Sequence, residues 1–290
     1  MSAILINGKN LAEQIKNNLA QQIAALQTPP QLDIVLVGHD DASEIYVRNK
    51  IKAAEHINLK TVLHRFDENI TENELSTMVE KLNADKNVNG IIVQLPLPPH
   101  IDTHRIINLI EPKKDVDGFH PYNTGLLQNN QVPYFIAATP LGVMRLIQTV
   151  CPNLSGKNVV IIGASLIVGR PLATLLLNQE CTVTITHIHT KNIKELTQKA
   201  DIVVAACGVA NLVKADWIKS GAVLIDVGIN RCNGKICGDI DFASVQDKAG
   251  AITPVPGGVG PMTIAMLLEN TVNAYLLQNQ KKIKEEPSDR

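Results

Sequence analysis

The sequence predicts an α/β protein of two lobes, each built on a parallel sheet covered by helices. Apolar runs of strand length alternate with amphipathic helical stretches along nearly the whole chain. One of these runs, residues 158–162, passes through a glycine turn into a helix, as in sheets that bind ligands at their strand ends. The 290 residues, 45% hydrophobic and 19% charged, are enough for two medium domains with sizeable cores. A net charge of −1 gives no general attraction to nucleic acid or to an anionic membrane. No apolar run reaches membrane-spanning length, and the N-terminus lacks the basic region and apolar core of a signal peptide. A cytoplasmic protein is therefore expected. The five cysteines are scattered without a CxxC pair, which suggests reduced thiols that act as small buried hydrophobes.

In chain order, residues 3–6 read as a strand, Asn7-Gly8 as a turn and 9–26 as a helix with Leu11, Ile15, Leu19, Ile23 and Leu26 as its stripe. Pro29-Pro30 ends it. A strand at 32–37 and a Gly38-His39-Asp40-Asp41 turn lead into a second helix, followed by a strand near 60–66. Thr71-Glu72-Asn73-Glu74 is a capping-box signature that opens a helix to about residue 83. Residues 88–95 read as a strand stopped by Pro96-Leu97-Pro98-Pro99, 102–110 as a helix and 112–125 as a loop. A helix from Thr139-Pro140 runs to about 150, and strands are expected at 158–162, 182–186, 201–206 and 222–227 with helices between. Residues 253–263 form a Pro/Gly-rich loop, 263–278 a final helix and 281–290 a charged, disordered tail. The expected domains are 1–139, with helix 264–280 packing back on it, and 140–263.

Ser43-Glu44-Ile45-Tyr46-Val47-Arg48-Asn49-Lys50 is the stretch that invites chemistry. In a helix Tyr46 and Lys50 stack on one face. An amine beside a phenol and shielded from water can have its pKa lowered enough to act as a base. A packed tyrosine next to a solvated lysine is the plainer reading. Gln94 is a lone amide near the carboxyl end of an apolar strand, and a buried amide needs partners such as an amine or a phenol. A strand-end amide bonded to loop backbone would fit as well. In the loop Asp115-Val116-Asp117-Gly118 a carboxylate could take two parallel hydrogen bonds from an amino-pyrimidinone edge, or simply cap a turn.

Gly163 and Gly169 bracket a turn that could receive a pyrophosphate at a helix N-terminus, although the spacing is not GxGxxG and an ordinary strand-to-helix turn reads the same way. After the next strand come His187, His189, Thr190 and Lys191, where an NAD-selective fold usually has an acidic residue on the ribose diol. This set suits a 2′-phosphate and points to NADP, with surface histidines as the alternative. No spacing resembles a metal site, and no Ser-His-Asp or Gly-x-Ser-x-Gly motif is present.

Together, Ser43-x-x-Tyr46-x-x-x-Lys50, residues 93–98 (Val-Gln-Leu-Pro-Leu-Pro), residues 114–119 (Lys-Asp-Val-Asp-Gly-Phe), residues 163–171, residues 226–230 and residues 253–263 resemble the bifunctional methylenetetrahydrofolate dehydrogenase/methenyltetrahydrofolate cyclohydrolase family. The resemblance runs from about residue 3 to about 278. It implies a Rossmann-like NAD(P)-binding domain and an α/β catalytic domain with the active site in the cleft between them. The implied chemistry is oxidation of 5,10-methylenetetrahydrofolate with NADP⁺, then hydrolysis of the methenyl product to 10-formyltetrahydrofolate. It also implies that Lys50 is the central catalytic group, Tyr46 orients it and the substrate, Gln94 tunes it and Asp117 grips the pterin. Ser43, Val93, Leu95, Asp115, Gly257, Gly258 and Pro261 become substrate contacts. Gly163, Ala164, Ser165, Ile167, Val168, Gly169, Gly208 and Ile229 join His187, His189, Thr190 and Lys191 as cofactor contacts. A homodimer through the cofactor lobe is implied as well.

The chain departs from the family pattern in four places. Ala137-Ala138 replaces Pro-Cys before Thr139-Pro140, Ala164 stands where many members have Arg, Ile188 where many have Ser, and Gly208-Val209-Ala210 where a Gly-x-Pro is usual. The second and third concern the 2′-phosphate, so NAD stays an alternative to NADP. Two other readings compete with a folate enzyme. One is a dehydrogenase of another small molecule, which leaves Tyr46, Lys50 and Asp117 without roles. The other is a catalytically silent folate- or nucleotide-binding protein.

Overall fold

A computed structural model describes residues 2–232 and 234–285. The elements are β1 (Ile4–Leu5), α1 (Gly8–Ala24), β2 (Gln31–Val37), α2 (Asp41–His56), β3 (Lys60–Phe66), α3 (Glu72–Ala84), β4 (Gly90–Val93), α4 (Thr103–Leu109), α5 (Pro121–Gln128) and α6 (Ala138–Val150). They continue with β5 (Asn158–Ile162), α7 (Gly169–Leu177), β6 (Thr182–Thr186), α8 (Ile193–Thr197), β7 (Ile202–Ala205), β8 (Val223–Asp226), β9 (Asn230–Cys232), β10 (Lys235–Cys237), α9 (Phe242–Val245), β11 (Ala251–Ile252) and α10 (Val259–Glu285). They form two compact units. One is Gln14–Ala138 with the chain from Ile264 onward, and the other is Thr139–Thr263 with the chain up to Glu13.

The first unit is built on a three-stranded parallel sheet in the order β3-β2-β4. Its central strand is buried at every position, and a parallel strand covered on both faces has to be apolar nearly throughout. Leu32, Ile34 and Leu36 are fully enclosed, each worth about 1.5–3 kcal/mol of burial. Gln31 and Asp33 are the exceptions, and the Asp33 carboxylate is taken up by His64 Nε2 and Gln31 Nε2, both at 2.7 Å. Val35, Val37, Ile91 and Val93 pack with Leu75, Val79 and Leu82 of α3 and Ile106 of α4. The capping box at the start of α3 forms with both of its hydrogen bonds, between Thr71 and Glu74.

The second unit holds a six-stranded parallel sheet in the order β1-β11-β8-β7-β5-β6. The chain goes from β5 to β6 on one side and then to β7 on the other. The winding reverses at β5, and open sheets of this kind bind ligands outside the carboxyl ends at such a reversal. Val160, Ile162, Val203, Ala205 and Leu224 form its core with Val213, Ile218, Ile240 and Val245.

Several expectations need correction. Residues 1–13 do not belong with the first domain, because β1 pairs with β11 (Ile4↔Ala251, Leu5↔Ile252) and joins the other sheet. The expected loop 112–125 contains the start of α5, with Pro121 in its first turn, where a missing N–H costs nothing, and His120 as the cap. β4 is shorter than 88–95, since Val88 N bonds Asp85 O in a turn and Pro96 has no donor to extend the ladder. The last helix starts at Val259, inside the expected loop, with Pro261 again in a first turn. It also runs on to Glu285 through part of the expected disordered tail, a stretch of Lys and Glu with high helix propensity. The remaining tail, 286–290, lies outside the described residues. The cysteines are not all reduced: the β9–β10 hairpin carries a Cys232–Cys237 disulfide, while Cys151, Cys181 and Cys207 are free. The hairpin itself is absent from the sequence reading, and it brings together two cysteines five residues apart.

Candidate active site

In the first unit, α2 begins at the carboxyl end of β2 and the site is organised on its first turns. Asp40 caps the helix by accepting from Ser43 N at 2.8 Å, and Asp41 and Glu44 put acidic charge in the first turn, which the helix dipole favours. One turn further on, Tyr46 is partly exposed and Lys50 is buried, only 8% exposed. Lys50 Nζ donates to Gln94 Oε1 at 3.0 Å. Gln94 turns its own amide to Leu95 O at 2.9 Å, and Ser43 Oγ donates to the same carbonyl at 3.4 Å. The strand end 94–95 and the helix turns 43–50 are thus laced together by side chains distant in sequence. The Lys50 amino group is held by a neutral amide carbonyl, which uses one of its donors.

Burial pushes the Asp117 carboxyl up, and the nearby Lys50 charge pulls it back. Burial also raises the Tyr46 phenol above its ordinary value, and a neutral phenol can donate a hydrogen bond. The buried amine, the carboxylate near it and the amide that holds it make a cluster that can grip a polar heterocycle and move a proton beside it, and Tyr46 lies one helical turn before the lysine.

Two residues expected to touch substrate are otherwise engaged. Val93 packs its side chain into the core of the unit. The Asp115 carboxylate is buried and accepts from Phe119 N (3.2 Å), His120 N (2.9 Å) and Asn123 Nδ2 (2.9 Å), so it helps to fold its own loop. Burial outweighs those donors and raises its pKa to about 7.

In the second unit, β5 ends in a turn made by glycine. Gly163 has φ +121°, and a Cβ there would run into Ala206 O. A Cβ on Gly169 would run into Gly163 O. Backbone approaches backbone at both positions, so neither admits a side chain. Between them Ser165 Oγ accepts from Val168 N (3.2 Å) and Gly169 N (3.3 Å), and Ala164, Ser165 and Ile167 stand at or near the surface. A close-packed glycine turn at a sheet's reversal fits a dinucleotide pyrophosphate.

After β6, residues 187–190 close a tight turn. His187 N donates to Thr190 Oγ1 (2.9 Å), Thr190 N to His187 O (2.8 Å) and His189 N to His187 Nδ1 (3.2 Å). His189, Lys191 and Ile188 are exposed, Ile188 at 92%. Gly208 follows β7 and Ile229 follows β8, both at carboxyl ends in the same unit. Gly257, Gly258 and Pro261 also belong to this unit, and Gly257 O accepts from Lys9 N at 2.8 Å.

The sequence reading gave no role to two buried carboxylates that hold these carboxyl ends. Asp226, at the end of β8, accepts from Gly228 N (3.1 Å), Asp239 N (2.9 Å) and Ile240 N (2.9 Å), and burial raises it to about 6. Asp239 accepts from Cys207 N (2.7 Å), Gly208 N (2.9 Å) and Asn230 Nδ2 (2.9 Å). The available signal was an Asp closing the otherwise apolar run 223–226.

Residues 6–117 match the model of the tetrahydrofolate dehydrogenase/cyclohydrolase catalytic domain, and residues 137–279 match the NAD(P)-binding domain of the same proteins. The chain belongs to the tetrahydrofolate dehydrogenase/cyclohydrolase family. It is 51% identical over 280 residues to the bifunctional protein FolD of Wolbachia sp. subsp. Drosophila simulans, covering 95% of this chain and 96% of that one. The FolD crystal structure from Campylobacter jejuni superposes with a TM-score of 0.93 at 48% identity, covering 95% of this chain and all of that one. The Trypanosoma brucei methylenetetrahydrofolate dehydrogenase-cyclohydrolase, solved with NADP and an inhibitor, gives 0.91 at 35% identity, covering 98% and 99%. This tetrahydrofolate dehydrogenase/cyclohydrolase is thus a bifunctional enzyme of folate one-carbon chemistry, built from a catalytic and an NAD(P)-binding domain. A dehydrogenase of an unrelated small molecule does not account for the matched catalytic domain.

Proposed function

We propose that Lys50 carries the proton transfers of the hydrolytic step, that Tyr46 orients lysine and substrate as a hydrogen-bond donor, and that Gln94 holds and tunes the lysine amine. Asp117 accepts the amino-pyrimidinone edge of the pterin, and Ser43 and Leu95 border the same ligand. The observation that carries this reading is the 3.0 Å bond from a buried Lys50 to Gln94, with the Asp117 carboxyl within reach of the lysine's charge. Water attacking a methenyl carbon must lose a proton, and the opening ring nitrogen must gain one. A held amine beside the carbon can serve both needs. Gly257, Gly258 and Pro261 are assigned to folate contact on the family resemblance alone.

The folate-binding domain is the unit Gln14–Ala138 with the last helix, and the nucleotide-binding domain is Thr139–Thr263. The nucleotide is NADP⁺, which accepts the hydride when bound. Gly163, Ala164, Ser165, Ile167, Val168 and Gly169 receive its pyrophosphate, Gly208 and Ile229 border it, and His187, His189, Thr190 and Lys191 meet the 2′-phosphate. The imidazoles and the lysine supply donors that a ribose diol would not need. The enzyme works in the cytoplasm as a homodimer.

The test is a spectrophotometric assay with 5,10-methylenetetrahydrofolate and NADP⁺ or NAD⁺, following reduced nicotinamide and the methenyl intermediate together. The wild type should reduce NADP⁺ with little methenyl build-up. Lys50→Met should slow hydrolysis by roughly 10²–10⁴-fold. Hydrolysis at the wild-type rate in that variant would remove lysine from the mechanism.

A further inference from the structure

The Asp117 segment is held from a place the sequence motifs do not indicate. Asn270 lies in the middle of α10 among Leu267, Leu268, Thr271 and Val272, and is 4% exposed. An asparagine in a buried helical stretch has poor helix propensity and a costly amide to bury, so its position calls for partners. Its Nδ2 donates to two backbone carbonyls, Val116 O at 2.9 Å and Ile136 O at 3.0 Å. Val116 immediately precedes Asp117. On the other side of Asp117, Gly118 has φ +73°, and a Cβ there would lie 2.5 Å from Ala137 N and from Ile136 C. The strips 116–118 and 136–137 therefore run side by side, and one carboxamide joins them. The far end of the loop is held separately by Asp115, on Phe119 N and His120 N. Asp117 is the acid left free between these two anchors.

We infer that Asn270 is a positioning residue for folate recognition, setting the direction of the Asp117 carboxylate by fixing the carbonyls of Val116 and Ile136. The inference rests on the reading that Asp117 grips the pterin. Leucine at position 270 would keep the volume and lose both donors, leaving two carbonyls unpaired beside Asp117. A carboxylate tilted off the plane of its ligand keeps its charge and loses its second hydrogen bond.

The experiment is a double-mutant cycle on the full-length enzyme with Asn270→Leu and Asp117→Asn, measuring KM and kcat for methylenetetrahydrofolate and the Kd of NADP⁺. Asn270→Leu should raise the folate KM about tenfold, with a smaller change in kcat and none in the Kd of NADP⁺. In the Asp117→Asn background the same substitution should add little, because its target is gone. Full additivity, or an unchanged folate KM in Asn270→Leu, would overturn the inference. An Asp117→Asn variant with unaltered folate KM would instead overturn the role of Asp117. Should Asn270→Leu fail to fold, the wild type supplies the measurement. Exchange of the Asn270 carboxamide protons should slow when tetrahydrofolate binds and stay unchanged with NADP⁺, and no response to tetrahydrofolate counts against the proposal.

Discussion

The two units build their sites by opposite means. In the folate unit the candidate site is made of side chains. Lys50, Gln94, Ser43 and Leu95 O form one network from residues up to 52 positions apart, and Asp117 stands next to it. In the nucleotide unit the counterpart is backbone. Gly163 and Gly169 bring carbonyls and Cα atoms so close that side chains are excluded, and the flanking Ile167 and Ile188 are left exposed. A side-chain site should lose function one group at a time and keep its fold. A backbone site should tolerate changes at its rim and fail when a single methyl is added at its centre.

The sharpest way to break this contrast is Gly169→Ala or Gly163→Ala. A Cβ at either position meets a backbone carbonyl that cannot rotate away. The Kd of NADP⁺ by calorimetry should rise about 100-fold or more, a loss of about 2.7 kcal/mol. Unchanged nucleotide affinity would mean that the turn is not where the phosphates bind.

The next effect belongs to the folate unit. The Asp115 carboxyl, raised in the fold from an ordinary 3.8 to about 7, holds its proton more tightly folded than unfolded. Its contribution to stability is present below the unfolded value and is lost as pH rises through about 7. Asp226, raised to about 6, adds to the same slope from the other unit. Thermal unfolding should therefore show a falling Tm across that window, and Asp115→Asn should flatten most of it. A slope as steep in the variant as in the wild type would assign the effect elsewhere.

The smallest change is expected at the rim of the nucleotide site. Replacing His189 and Lys191 together by Ala should reduce the preference for NADP⁺ over NAD⁺ by about tenfold in kcat/KM, about 1.4 kcal/mol. The fold should be intact, since both side chains are exposed. An unchanged ratio would put 2′-phosphate recognition on other residues.

The legible parts of the molecule share a physical basis. Strands β2, β5 and β7 are buried over most of their length and read as mostly apolar runs, and the Thr71–Glu74 box is a local hydrogen-bond pattern that needs no tertiary partner. Tyr46 and Lys50 could be placed on one helix face from their spacing. Less legible was anything whose partner lies far along the chain or in a short element. The pairing of residues 4–5 with 251–252 has almost no local signature, because two-residue strands carry no periodicity. Asp115 was expected at the ligand through the family resemblance, and a loop carboxylate by itself says nothing about where its hydrogen bonds go. Three donors decide that, and they come from Phe119, His120 and Asn123.

By itself, then, the sequence determined the alternating α/β plan, the glycine turn after β5 and the family to which the motifs belong. These depend on periodicity, on residues that alone tolerate a given backbone and on motif order. Only the tertiary structure decided that the chain's first strand completes the nucleotide sheet and that Cys232 meets Cys237. It also decided that Asp115 serves its own loop and that an asparagine from the last helix flanks Asp117. Each of these is a matter of which groups are brought together on folding, and burial leaves every polar group needing a partner that spacing along the chain does not name.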